Sequence, residues 1–159
     1  MIQHVKPIMF GLVMAALVMG IDQWSKAFLI ALLSGHPPME ILPVFNLVMV
    51  WNTGISFGML AGMNQALFLT ALSLAIVFIL LIWLYKNEFM AIAGAIGAII
   101  GGALGNVIDR VRFGAVADFF DFHTRIYHWP AFNIADSAIF IGVVVLCAHS
   151  MLGRRGKNS

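Results

Sequence analysis

The sequence predicts an all-α membrane protein: four transmembrane helices with a small β-element on the outer face between helices 1 and 2. Three observations predict it. First, 62% of the 159 residues are hydrophobic and 10% charged, with a mean hydropathy of +0.97. A soluble domain carries about 25% charged residues, so this chain has too little polar material to cover a water-facing surface. Second, four apolar segments, 8–33, 66–85, 90–108 and 134–151, come close to or exceed the roughly 20 residues that cross hydrocarbon at about 1.5 Å per residue. Third, hydrocarbon offers the backbone no hydrogen-bond partner, so such segments must be helical. At this length the chain reads as one domain, 1–159.

The first segment opens like a secretory signal, with Lys6, an apolar run, and Val18 and Gly20 at cleavage-compatible positions. Its helical pattern continues through Trp24, Phe28 and Leu33, so it is expected to remain as an anchor. Segments two and three carry no charge, and only Lys86, Asn87, Glu88 and Phe89 separate them, which predicts a tight helical hairpin. In the third, Gly97, Gly101 and Gly105 recur every four residues beside Gly94, Ala98 and Gly102, a face that lets another helix approach closely. Gly101 and Gly102 could instead expose backbone to a ligand. The fourth follows Pro130, with Asn133 and Asp136 spaced to cap its start and meet the helix dipole. Two outer stretches, Val44 to Trp51 and Val116 to Phe122, alternate as short strands, expected to form a small sheet on the membrane surface.

Composition excludes several functions. Net charge is +2 and dispersed, which gives nucleic acid no footing. Cys147 is the sole cysteine and reads as a small buried hydrophobe. His4, His36, His123, His128 and His149 are scattered, without Cys/His ligand spacing, so a structural metal site is not expected. No glycine-rich phosphate loop follows a strand.

An even number of spans puts Lys6, Lys86, Arg154, Arg155 and Lys157 on one side, which the positive-inside rule makes cytoplasmic. The opposite side mixes Lys26, Arg110, Arg112 and Arg125 with Asp22, Glu40, Asp109, Asp118, Asp121 and Asp136. Trp83 and Tyr85 would mark the inner interface, and Trp24, Trp51, Tyr127 and Trp129 the outer one.

This orientation gathers polar residues at one depth. Asp22 and Lys26 come from span one, Asn106, Asp109 and Arg110 from span three, Asp136 from the start of span four, and Asp118 and Asn52 from outer loops. A charge near hydrocarbon costs about 2.5–3.5 kcal/mol even on lenient scales, so these groups should pair or face a shared polar cavity. Asp22 and Lys26, at i and i+4, read as a structural ion pair. Asn106, Asp109 and Arg110 share a helix face and divide between interfacial anchor and substrate contact. Asp121 reads as a solvated loop acid.

The chemistry points to carboxylates. Ser25 adjoins Lys26 but lies on another helix face, and no nucleophile accompanies His123 or His128. Asp118 and Asp136 could share a water; two close aspartates cannot both ionise, so such a pair holds a base and an acid together.

At these residues the sequence resembles the lipoprotein signal peptidase (signal peptidase II) family. The matches are Asp22-Gln-Trp-Ser-Lys26, Asn52-Thr-Gly54 with Phe57, Gly101-Gly-Ala-Leu-Gly-Asn106 leading to Asp109-Arg110, Val116-Ala-Asp118-Phe119 and Phe132-Asn133-Ile-Ala-Asp136-Ser137. Each is weak alone; five in family order are specific. Ile55 and Ala117 stand where other apolar residues are commoner. The resemblance implies a cofactor-free aspartic endopeptidase of the bacterial inner membrane, cutting lipid-modified prolipoproteins just before the diacylglyceryl-cysteine. It implies Asp118 and Asp136 as catalytic, and Asn52, Gly54, Asn106, Asp109, Arg110 and Asn133 as substrate-binding. It further implies a periplasmic site and β-element, membrane lipids as surroundings, and globomycin-type inhibitors as ligands. Asp136, at a helix start, is expected to be the base and Asp118 the protonated partner. The rival reading, a small proton or solute transporter, predicts polar residues through the full membrane depth. A second rival, a non-catalytic assembly factor, leaves the acids without a purpose.

Overall fold

The computed structural model of the chain describes residues 2–54, 65–124 and 126–155. Ile55, Phe57, Arg125 and Lys157 lie outside them. Among the described residues, four helices are long and apolar enough to cross a membrane: α1 (Ile2–Leu33), α2 (Gln65–Lys86), α3 (Met90–Phe113) and α4 (Ile134–Arg155). Three strands, β1 (Met39–Leu42), β2 (Phe45–Asn52) and β3 (Val116–Phe122), form an antiparallel sheet in that order. β2 and β3 are the two strands expected. β1 is additional, a short edge paired to β2 through Met39–Leu47 and Leu42–Phe45.

The α2–α3 hairpin is as tight as its four-residue turn predicts. Asn87 closes it, donating to the Phe89 carbonyl at 2.7 Å and accepting from the Phe89 amide at 3.3 Å. α3 runs past the expected end at residue 108 to Phe113, where Gly114, at φ 73°, caps it in the left-handed conformation. Asp109 and Arg110 therefore sit within the last turns of a helix and keep fixed directions.

α3 is the central post. It touches the other three helices, and 67% of its most apolar window is buried, against 17–22% for the others. Glycine is the reason. A Cβ on Gly97 would overlap the carbonyl oxygen of Gly11, one on Gly101 that of Ala15, and one on Gly105 the Asp22 carboxylate. The contacts climb α1 and α3 together, so these helices run parallel. On the other side Gly102 abuts the Ala135 carbonyl and Gly142 that of Ala95. Gly101 and Gly102 thus serve helix packing rather than offering backbone to a ligand. Ile96, Ile100 and Ala93 fill the resulting core with Leu80 and Leu84 of α2.

Because Gly97 meets backbone rather than a movable side chain, Gly97→Ala should separate α1 from α3 and cost about 1–3 kcal/mol. The check is the thermal midpoint in detergent, with Gly20→Ala, whose Cβ meets nothing within 4 Å, as the neutral control.

The outward faces are apolar: Leu17, Phe28, Ile79 and Phe140 are exposed, as side chains in lipid should be. Cys147 belongs to this set. It is exposed rather than buried, because α4 uses its other face against α3.

Candidate active site

β3 carries Asp118 into the interior. A short turn after Gly114 leads into the strand, and Val116, Ala117 and Phe119 are at most 2% exposed, with Asp118 at 1%. β2 runs alongside, opposing Val50 to Asp118 and Asn52 to Val116. After the 123–131 loop, Phe132 pairs with Phe120. Its neighbour Asn133 consequently arrives beside Asp118, at the first residue before α4.

Asn133 has two occupations. As the helix cap, its Oδ1 accepts from the Asp136 amide at 2.9 Å, while Asp136 Oδ2 accepts from the Asn133 amide at 3.3 Å, a reciprocal capping box. Its Nδ2 meanwhile donates to Asp118 Oδ1 at 2.6 Å. The same fully buried side chain therefore touches both aspartates.

The other asparagines complete the cradle. Asn52 Nδ2 donates to Asp118 Oδ2 at 2.9 Å, and Asn52 Oδ1 accepts from the Gly54 amide at 2.8 Å. Gly54 turns at φ 103°, where a side chain would be strained and would also meet Leu69. Asn106 Nδ2 donates to Asp136 Oδ1 at 2.9 Å. Each carboxylate oxygen of the pair thus receives one donor and keeps a lone pair for a further guest.

Burial is the largest influence on Asp118 and pushes its carboxyl up to about 6 from 3.8. The Asn52 hydrogen bond opposes the rise, the charge of Asp136 adds to it, and Asn133 and Lys26 pull back. The two acids therefore feel one another electrostatically.

The expected Asp22–Lys26 pair is present at 2.9 Å, but it is part of a larger knot. Lys26 also meets Asp109 at 2.7 Å and Asn106 Oδ1 at 3.0 Å. Asp109 is 1% exposed and accepts from the Ala117 amide at 3.2 Å, so it faces the protein interior. Arg110 lies within electrostatic reach of Asp136, Asp109 and Asp118, and its buried Nε has no hydrogen-bond partner among the described residues.

Two residues escaped the sequence reading. Gln23 Nε2 donates to the Gly105 carbonyl at 3.1 Å and to Asp109 Oδ1 at 3.0 Å; its place one turn from Lys26, inside an apolar span, was the available signal. Asp121 is 7% exposed and lies 3.0 Å from His128 Nδ1, where a solvated acid was expected. It sits on the inward side of β3, and its partner comes from a loop that only folding brings near.

Two clefts flank the pair. One, of about 350 Å³, is walled by Trp129, Phe132, Phe140, Ile141 and Ser137 and opens at Asp136. The other, of about 340 Å³, is bounded by Trp51, Asn52, Thr53, Gly54 and Pro130 and opens at Asp118.

Two similar solved structures are both described as a bacterial membrane enzyme. Each is 31% identical with a TM-score of 0.79; one match covers 92% of this chain and 90% of that one, the other 87% and 90%. With its four spans among the described residues, the protein is a polytopic membrane protein. Residues 14–152 match the family described as signal peptidase (SPase) II, and the chain belongs to that family, whose members are proteases. Similar curated relatives include the lipoprotein signal peptidases of Anaplasma phagocytophilum, 39% identical over 94% of this chain and 96% of that one, and of Alteromonas mediterranea, 45% identical over 83% and 75%.

Proposed function

We propose that this chain is an aspartic endopeptidase that removes the signal peptide of bacterial prolipoproteins just before the diacylglyceryl-cysteine, with Asp118 and Asp136 as the catalytic pair. Processing of prolipoproteins follows from the family; the aspartic chemistry rests on one observation, a single residue, Asn133, that donates its Nδ2 to the Asp118 carboxylate and its backbone amide to the Asp136 carboxylate.

In this mechanism Asp136, in the first turn of α4, is the base, favoured as a carboxylate by the helix dipole. Asp118 carries the proton. Asp136 takes a proton from water as the water oxygen attacks the scissile carbonyl carbon. Asp118 hydrogen-bonds the developing oxyanion. Collapse breaks the C–N bond, and the proton held by Asp136 passes to the departing amine of the cysteine. The signal peptide leaves with a new carboxylate, and the pair again shares one proton. Asn52, Gly54, Asn106 and Asn133 hold the acids and meet the peptide backbone, and Arg110, within electrostatic reach of both acids, is assigned to a substrate carbonyl. Asp109 contributes from behind, through Lys26 and Ala117.

Both termini are placed in the cytoplasm and the site at the periplasmic boundary, where the lipidated cysteine resides. Globomycin-type inhibitors are expected to occupy the same clefts. A proton or solute pathway would need polar groups along the whole depth, whereas the buried acids and lysine of α1, α3 and α4 cluster at one end. The deciding experiment is incubation of the purified protein with a lipidated precursor, following product masses. The expected products are a free signal peptide and a mature chain beginning at the lipid-modified cysteine. An intact precursor, or a cut elsewhere, would overturn the proposal.

The raised Asp118 predicts two pH effects. Since Asp118 must be protonated, turnover should fall as pH rises above about 6. Stability should move the same way: a carboxyl held near 6 when folded and near 3.8 when unfolded stabilises fully below 3.8, and this is lost as pH rises through 6. The difference is about 3 kcal/mol. Thermal unfolding in detergent near pH 4 and pH 8 measures it, and Asp118→Asn should remove that part of the dependence.

A further inference from the structure

Lys26 is only 2% exposed, and its three N–H donors find three acceptors: Asp109 Oδ2 at 2.7 Å, Asp22 Oδ2 at 2.9 Å and Asn106 Oδ1 at 3.0 Å. An ion pair along one helix needs only the second of these. Each acceptor leads on to the aspartate pair. Asp22 Oδ1 accepts from the amide of Ala135 at 2.9 Å, the residue before Asp136. Asp109 Oδ2 accepts from the amide of Ala117 at 3.2 Å, the residue before Asp118. Asn106 touches Asp136 itself. An ammonium can only donate, so Asn106 must turn its oxygen to Lys26, which leaves its NH₂ for Asp136.

We propose that Lys26 is a positioning residue for the aspartate pair: one ammonium, acting through Asp22, Asp109 and Asn106, fixes the backbone just ahead of each acid and holds a donor on Asp136. Gly105 is part of the device, since any side chain there would displace the Asp22 carboxylate. The inference rests on the aspartic reading above. Around Asp136 the charged and polar groups are Asp118 from β3, Arg110 and Asn106 from α3, Asn133 at the cap of α4, and Lys26 and Asp22 from α1, which reach it through Asn106 and Ala135.

The test uses the full chain in detergent, comparing parent, Lys26→Arg, Lys26→Met and Asp136→Asn. Turnover is expressed per site titrated with a globomycin-type inhibitor, so that misfolded protein does not count. Arginine keeps the charge, but its planar fork cannot hold three acceptors around one point. Lys26→Arg should lower kcat per site at least about tenfold, as small misplacements of reacting groups do, with KM close to the parent value. Lys26→Met should fall further; should it fail to fold, Lys26→Arg decides. A Lys26→Arg enzyme with parental kcat per site, changed only in thermal midpoint or in KM, overturns the proposal and leaves Lys26 a structural ion. Full activity in Asp136→Asn would instead overturn the aspartic reading itself, so the two failures are distinguishable.

Discussion

Asp118→Asn and Asp136→Asn, made singly, should each lower turnover of lipidated precursor by at least about a thousandfold, within the range for loss of a general acid or base, while the protein stays folded. The amide is nearly isosteric and can accept the bond from Asn133 or Asn106, but it neither takes a proton from water nor returns one. Asp118 and Asp136 act as a unit, so the double variant should be little worse than either single one. Folding is checked by the thermal midpoint, and the intact pocket by retained binding of a globomycin-type inhibitor. Precursor processed at the parental rate by either variant would be incompatible with the mechanism.

The second large effect is expected at Asn133. Asn133→Ala removes the cap of α4, worth about 1 kcal/mol. It also leaves the buried Asp118 Oδ1 without its 2.6 Å donor, which costs about 1–3 kcal/mol more. Turnover should drop about a hundredfold, since Asp118 loses the side chain that ties it to the start of α4. Asn133→Ser separates the two functions. Serine caps a helix as well as asparagine does but is too short to reach Asp118 as well. Its thermal midpoint should recover by the capping part alone, while turnover remains low. Parental turnover in Asn133→Ser would show that the link between the acids is dispensable.

Capping and catalysis at Asn133 and Asp136 illustrate where sequence reasoning is strong and where it stops. Their spacing ahead of an apolar run signals a helix start, because capping is local chemistry. That the cap also reaches Asp118, fifteen residues earlier in the chain, follows from Phe132 pairing with Phe120, and nothing local encodes it. Asp22 and Lys26 behave alike: the i, i+4 pair is legible, whereas Asp109 and Asn106 as further partners are not. Asp121, a loop acid by its neighbours, is buried against His128 because β3 turns that face inward.

From the chain alone came the four spans, the α2–α3 hairpin, the close-packing glycine face and the list of polar residues at one membrane depth. All of these follow from hydropathy, from short-range periodicity or from the cost of charge in lipid, each readable within a few turns of helix. Folding alone decided which of those polar groups touch. Glycines let α3 press against α1 and α4, the pairing of β2 with β3 brought Asp118 beside Asn52 and Asn133, and one buried ammonium tied α1 to α3. Such contacts join residues from 15 to 113 positions apart, and their partners are chosen by packing, which no local pattern records.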